Sequence, residues 1–128
     1  MTFEAYPAAS LLRPFNEVPH LFVIMNERCK DGLCLSVMIT SIKKNRFYDD
    51  ACVLDVGDHE FITHPSYLLY RLAETDLAIH LSNMVQKRFY LQKQDFRPEV
   101  YDRIVDGLRI SDELPSRVIA YAESRMII

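Results

Sequence analysis

Two continuously apolar runs constrain this chain more than any other feature. Leu21-Phe22-Val23-Ile24-Met25 and Leu33-Cys34-Leu35-Ser36-Val37-Met38-Ile39 are strand-length and rich in strand formers. The polar connection between them, Asn26 to Gly32, ends in Asp31-Gly32. Glycine reaches positive φ without steric cost, so this pair is a strong hairpin signal. A strand with one wet face alternates apolar and polar residues. These runs do not alternate, so both faces are expected to be covered, as in the central strands of a closed or heavily covered sheet.

The remaining segments extend that sheet and then leave it. Met1 to Pro19 carries three prolines and reads as an irregular lead-in with a first strand around Ser10 to Leu12. Lys43 to Asp50 is a charged loop, Ala51 to Val56 a strand, Gly57 to Ser66 a polar loop, and Tyr67 to Glu74 a further strand. Leu77 to Leu81 and Phe89 to Leu91 are read as short strands. After Gln94 the spacing changes. Asp95 reads as an N-cap, with Pro98 in the first turn, where proline costs least. Val100, Tyr101, Ile104, Val105 and Leu108 make one apolar stripe, predicting a helix over 97–109. Ser111 or Asp112 is the expected cap of a second helix that turns Leu114, Val118, Tyr121 and Ala122 inward. The predicted fold is α+β: one domain, a small, mostly antiparallel barrel closed by C-terminal helices.

Composition bounds the function. A chain of 128 residues with 49% hydrophobic and 26% charged residues can bury a core without disulfide or metal staples. A net charge of -3 does not advertise a phosphate-binding surface. The cations are local: Lys43, Lys44 and Arg46 in one group, Lys87, Arg88 and Lys93 in another. Each reads as a basic patch or as a solvated loop. Three cysteines cannot all pair, their spacing matches no zinc pattern, and no apolar run reaches the ~18 residues of a membrane span. Reduced thiols, a cytoplasmic location and no membrane partner are therefore expected.

The loop from Gly57 to Ser66 concentrates the chemistry. His59 and His64 flank Glu60 but stand five apart, about 140° round a helix, which rejects a zinc-protease motif. A loop metal site from Asp58, His59 and His64 is the metal alternative. Asp58-His59 beside His64 and Ser66 suits acid–base work, because histidine titrates near neutral pH and a carboxylate can orient it. The structural alternative has one histidine capping a turn and the other packing on Tyr67 or Phe61. His20 and His80 read either as phosphate binders or as satisfied structural histidines. Phe47, Tyr48, Phe61, Tyr67 and Tyr70 are candidates for base stacking or for the core.

The order of segments resembles the MazF/PemK family of toxins from toxin–antitoxin systems. His20-Leu21-Phe22-Val23-Ile24-Met25 stands where that family has its first apolar strand. Val37-Met38-Ile39-Thr40-Ser41 is similar to the second, which ends in a Thr-Thr or Thr-Ser pair, and His64-Pro65-Ser66-Tyr67-Leu68-Leu69-Tyr70-Arg71-Leu72-Ala73 to the serine-containing strand. The resemblance covers most of the chain after His20. It implies an SH3-like barrel, a homodimer, metal-independent cleavage of single-stranded RNA and a cognate antitoxin as partner. Thr40 matches the threonine that acts on the scissile phosphate in that family. The family arginine has no match, because Pro19-His20 occupies its place.

The same chemistry can be stated from the residues. Cleavage by the RNA 2′-hydroxyl needs a base, an acid for the leaving oxygen, and donors or a cation for the phosphorane. His20, His59 or His64 supply acid and base; Thr40, Ser41 and Lys43 supply donors and charge. The candidate catalytic set is therefore His20, Thr40, Ser41, His59 and His64. The candidate substrate-binding set is Lys43, Lys44, Arg46, Asp58, Ser66, Tyr67 and Arg71. No cofactor is called for. The competing reading is a non-catalytic barrel that binds a protein or peptide.

Overall fold

The computed structural model describes residues 3–128. Among the described residues seven strands form one antiparallel sheet: β1 (Ser10–Phe15), β2 (Val18–Ile24), β3 (Leu33–Ser41), β4 (Val53–Leu54), β5 (Ser66–Leu68), β6 (Glu74–Leu77) and β7 (Leu91–Lys93). The helices are α1 (Ala78–Gln86), α2 (Pro98–Ile110) and α3 (Ser116–Ser124). The sheet order is β4-β5-β3-β2-β1-β7, and β6 also pairs with β3. The path is open: no pairing joins β4 to β7 among the described residues, so the expected closure into a barrel is not seen. No described helix is long and apolar enough to cross a membrane.

β3 carries this topology. One edge pairs with β2, Leu21 opposite Ile39 through Ile24 opposite Ser36. Its other edge is shared, with β6 along Leu33–Ser36 and β5 along Ile39–Ser41. Both faces are buried, as the two apolar runs demand. Leu21, Val23, Met25, Leu35, Val37 and Ile39 pack with Val100, Ile104, Leu108, Val118 and Ala122 of α2 and α3. Ile24 and Cys34 pack on the opposite side with Phe3, Leu11, Ala78, Leu81 and Tyr90. The turn before β3 uses Gly32 at φ +85, and its amide donates to the Cys29 carbonyl at 2.8 Å. All three cysteines are free thiols.

Four expectations need correction. Leu77 to Leu81 is no strand beyond Leu77: Ala78, Leu81 and Val85 recur at helical spacing, and α1 buries that stripe. The strand expected over Tyr67 to Glu74 breaks at a 3₁₀ turn, Tyr70–Leu72, where the buried Tyr70 hydroxyl donates to the Ile104 carbonyl at 2.7 Å. The strand over Ala51 to Val56 shrinks to Val53–Leu54, because Asp55 and Asp58 close a turn, the Asp55 amide donating to Asp58 Oδ2 at 2.7 Å. Neither expected helix cap is used. Asp95 accepts from the Tyr6 hydroxyl at 2.6 Å, and Ser111 donates to Asp49 at 2.6 Å. Arg97 precedes α2, with Pro98 opening it, and Pro115 precedes α3.

Candidate active site

The start of β2, the end of β3 and the loop before β5 meet at one end of the sheet. A tight turn at Asn16 and Glu17, both at positive φ, returns the chain from β1 and sets His20 opposite Arg13. Thr40 pairs with Tyr67 and Ser41 with Ser66, and the Ile42 amide donates to the Pro65 carbonyl at 2.9 Å. Between these elements opens a cavity of about 390 Å³. His20, Thr40, Ser41, Lys43, His64 and Ser66 line it, together with the apolar residues Leu21, Ile39, Ile62 and Phe61.

The hydrogen bonds assign roles to these groups. His20 Nδ1 lies 2.9 Å from the Val18 carbonyl oxygen. A carbonyl only accepts, so Nδ1 carries the proton and the neutral ring keeps its Nε2 lone pair for another partner. The Phe15 ring meets the imidazole edge-on, with centroids 6.1 Å apart. Thr40 and Ser41 are half-buried, whereas Lys43 and His64 are exposed. Ser66 is committed to structure: its hydroxyl donates to the His64 carbonyl at 2.8 Å and fixes the turn that presents His64.

No family model matches the chain, and no curated protein matches it.

The other candidates stand away from the cleft. His59 is buried, with Nε2 at 2.8 Å from the Gln94 carbonyl and 3.2 Å from Ser10 Oγ. Its Nδ1 accepts the Phe61 amide at 3.0 Å, so neither ring nitrogen is free for acid–base work. Burial pushes its pKa down, and the Gln94 carbonyl opposes that only in part. Asp58 is held by Arg103, Nη1 to Oδ1 at 3.1 Å and Nη2 to Oδ2 at 3.2 Å. Burial raises its pKa, but the Arg103 hydrogen bonds and charge and the Asp55 turn outweigh that and leave it below the ordinary carboxylate value. With Asp58 and His59 so engaged, the loop metal site is not formed, and no three such ligands gather among the described residues.

Lys44 and Arg46 are exposed on the loop beyond Lys43, outside the cavity lining. Tyr67 stacks at a tilt on Tyr48, centroids 5.3 Å apart, and packs against Phe22, Met38 and Leu69. Arg71 is exposed on the 3₁₀ turn. His80 sits edge-on to Tyr90 at 6.2 Å, and Tyr70 is core. One charged residue escapes the sequence reading. Arg13 pairs in register with His20, yet its guanidinium crosses the sheet to Asp76 at 3.1 Å, over the rings of Phe22 and Tyr90. Its position among apolar β1 residues was the available signal.

Proposed function

We propose that the cleft is a metal-independent phosphodiester-cleaving site for single-stranded RNA, in a toxin-like endoribonuclease held in check by a protein antitoxin. The observation that carries this reading is the meeting of His20, Thr40, Ser41, Lys43 and His64 around one cavity, with His20 Nε2 unclaimed by the Val18 carbonyl. In this reading His20 takes the proton of the 2′-hydroxyl. His64 protonates the leaving oxygen, and Thr40, Ser41 and Lys43 donate to the charge that builds on the non-bridging phosphoryl oxygens. Lysine at the mouth supplies the cation for which the resembled family uses arginine. The sheet is read as an opened relative of the SH3-like barrel, left unjoined between β4 and β7, and the working unit as a cytoplasmic homodimer.

The test is a fluorogenic RNA incubated with the purified protein in excess chelator, with growth on induced expression scored beside it. His20→Ala and Thr40→Ala should each lower the rate on the order of a hundredfold, a typical loss for such a group, while circular dichroism stays that of the wild type. Light scattering checks the dimer. A second reading, a partner-binding module, draws on the apolar rim: Val18 is 55% exposed and Phe61 40%. Folded protein that cuts no RNA and leaves growth unimpaired would replace the first reading with this one.

A further inference from the structure

The loop that walls the cleft is held from behind by one buried side chain. His59 lies between the start of β1 and the segment that follows β7, with the Phe96 ring 4.6 Å away. One ring nitrogen accepts the Phe61 amide, and the other faces the Gln94 carbonyl. The Ile62 amide closes the same turn on the His59 carbonyl at 3.0 Å. Phe61, on the cavity, therefore takes its position from an imidazole that does not itself reach it, and His64 follows three residues on along the same loop.

We propose that His59 is a positioning residue that splints the 59–64 loop against β1 and the end of β7, and that protonating its imidazole releases the loop. The effect on cleavage rests on the reading of the cleft given above; the effect on the loop does not.

The tautomer explains why. Only a neutral ring with its proton on Nε2 can donate to Gln94 and accept from Phe61. Adding a proton turns Nδ1 into a donor facing another N–H, so the loop bond is lost while the Gln94 bond survives. The surrounding charges are few. Glu60 on the loop favours the proton and Lys93 on β7 opposes it. Asp58 is tied to Arg103, Asp95 accepts from Tyr6, and Arg97 donates to the Gly57 carbonyl at 2.8 Å. Ser10, from β1, is neutral and donates to the Gln94 carbonyl at 2.6 Å. Burial disfavours the charged ring, which keeps the splint in place at neutral pH.

Hydrogen exchange on the full chain tests this at about pH 8 and about pH 4, the lower value set well below an ordinary histidine titration because burial holds His59 neutral further into acid, with intrinsic rates corrected. The amides of Phe61 and Ile62 should exchange about fivefold to tenfold faster at the lower pH, the fold-change of one neutral hydrogen bond, while those of α2 stay unchanged. His59→Gln lacks the Nδ1 acceptor and should exchange fast at both values. His59→Asn can accept the amide two residues on, as asparagine does in turns. It should restore protection at both values. Wild-type loop exchange that ignores pH overturns the proposal. So does an imidazole nitrogen spectrum of the wild type that places the proton on Nδ1. If the loop responds as expected and the protein cuts no RNA at any pH, the splint stands and the reading of the cleft falls.

Discussion

The hydroxyl of Tyr70 meets α2 at Gly107, the one place where that helix lacks a side chain to keep it away. A Cβ on Gly107 would run into the Tyr70 oxygen and stand 2.7 Å from Cys52 Cβ and 3.1 Å from the Ala51 carbonyl. Gly107→Ala should therefore destabilise the protein by about 2 kcal/mol despite alanine's better helix propensity, because an overpacking cost of about 3 kcal/mol outweighs a gain of about 1 kcal/mol. Tyr70→Phe, which loses only the bond to Ile104, should cost about 1–2 kcal/mol. Urea denaturation of both variants measures the ranking. An unchanged midpoint for Gly107→Ala would show that α2 shifts to admit the methyl.

Acid should weaken the fold in two steps. His59 has a lowered pKa in the folded protein, because burial opposes its charge. Above the unfolded value of ~6.5 both states are neutral there and stability is at its full level. Below it the unfolded chain takes up a proton that the folded one refuses, so stability falls, by at most about 1.4 kcal/mol per pH unit, until the folded pKa is reached. Asp58 follows at lower pH. Its lowered carboxyl contributes stability above the unfolded value of ~3.9 that is lost as pH falls through the folded one. The denaturation midpoint followed against pH should show both steps. His59→Asn should remove the first and leave the second.

Arg13 and Asp76 form an ion pair with side chains only 13% and 17% exposed. Arg13→Met would leave Asp76 partly buried without its cation, and should cost about 2–3 kcal/mol, somewhat under the loss for a fully buried pair. Adding Asp76→Leu should recover much of that, since removing both charges costs less than removing one. A double-mutant cycle in thermal melts reads the coupling. Additive losses would mean that Arg13 acts through its stacking on Phe22 and Tyr90 alone.

The thiols should differ sharply. Burial pushes Cys34 up to about 12 and Cys52 up to about 11, so neither presents thiolate near neutral pH. Cys29 is only half-buried, on the turn before β3. A colorimetric disulfide reagent should label Cys29 promptly in the native protein and the other two only after unfolding. Rapid labelling of all three would show that the sheet opens far more readily than its burial implies.

What the chain discloses in advance is what its neighbours in sequence decide. The Asp31-Gly32 turn, the doubly buried strands and the stripe of α2 all rest on short-range spacing, and all are legible. The break at Tyr70 is not, because its cause is a carbonyl 34 positions away. α1 is missed for a different reason: its first four residues pass for a strand, and only Met84 and Val85 complete the helical stripe. The candidate site divides in the same way. Thr40 and Ser41 enter through the resemblance to the MazF/PemK strand that ends in a Thr-Thr or Thr-Ser pair, and their place at the end of an apolar run is legible without it. His59 and His64 share one loop and look equivalent, yet Gln94 takes the first into the interior and leaves the second at the cleft. Nothing within the loop distinguishes them.

The pairing of β1 with β7, Ser10 opposite Lys93, has a consequence for the order of events on the ribosome. A chain interrupted after α1 still lacks the strand that covers the outer edge of β1, and an uncovered edge invites pairing with another chain. It also lacks Gln94, the anchor of the loop that walls the cleft. A chain that stops there therefore leaves both an open sheet edge and an unanchored loop, and is prone to aggregate.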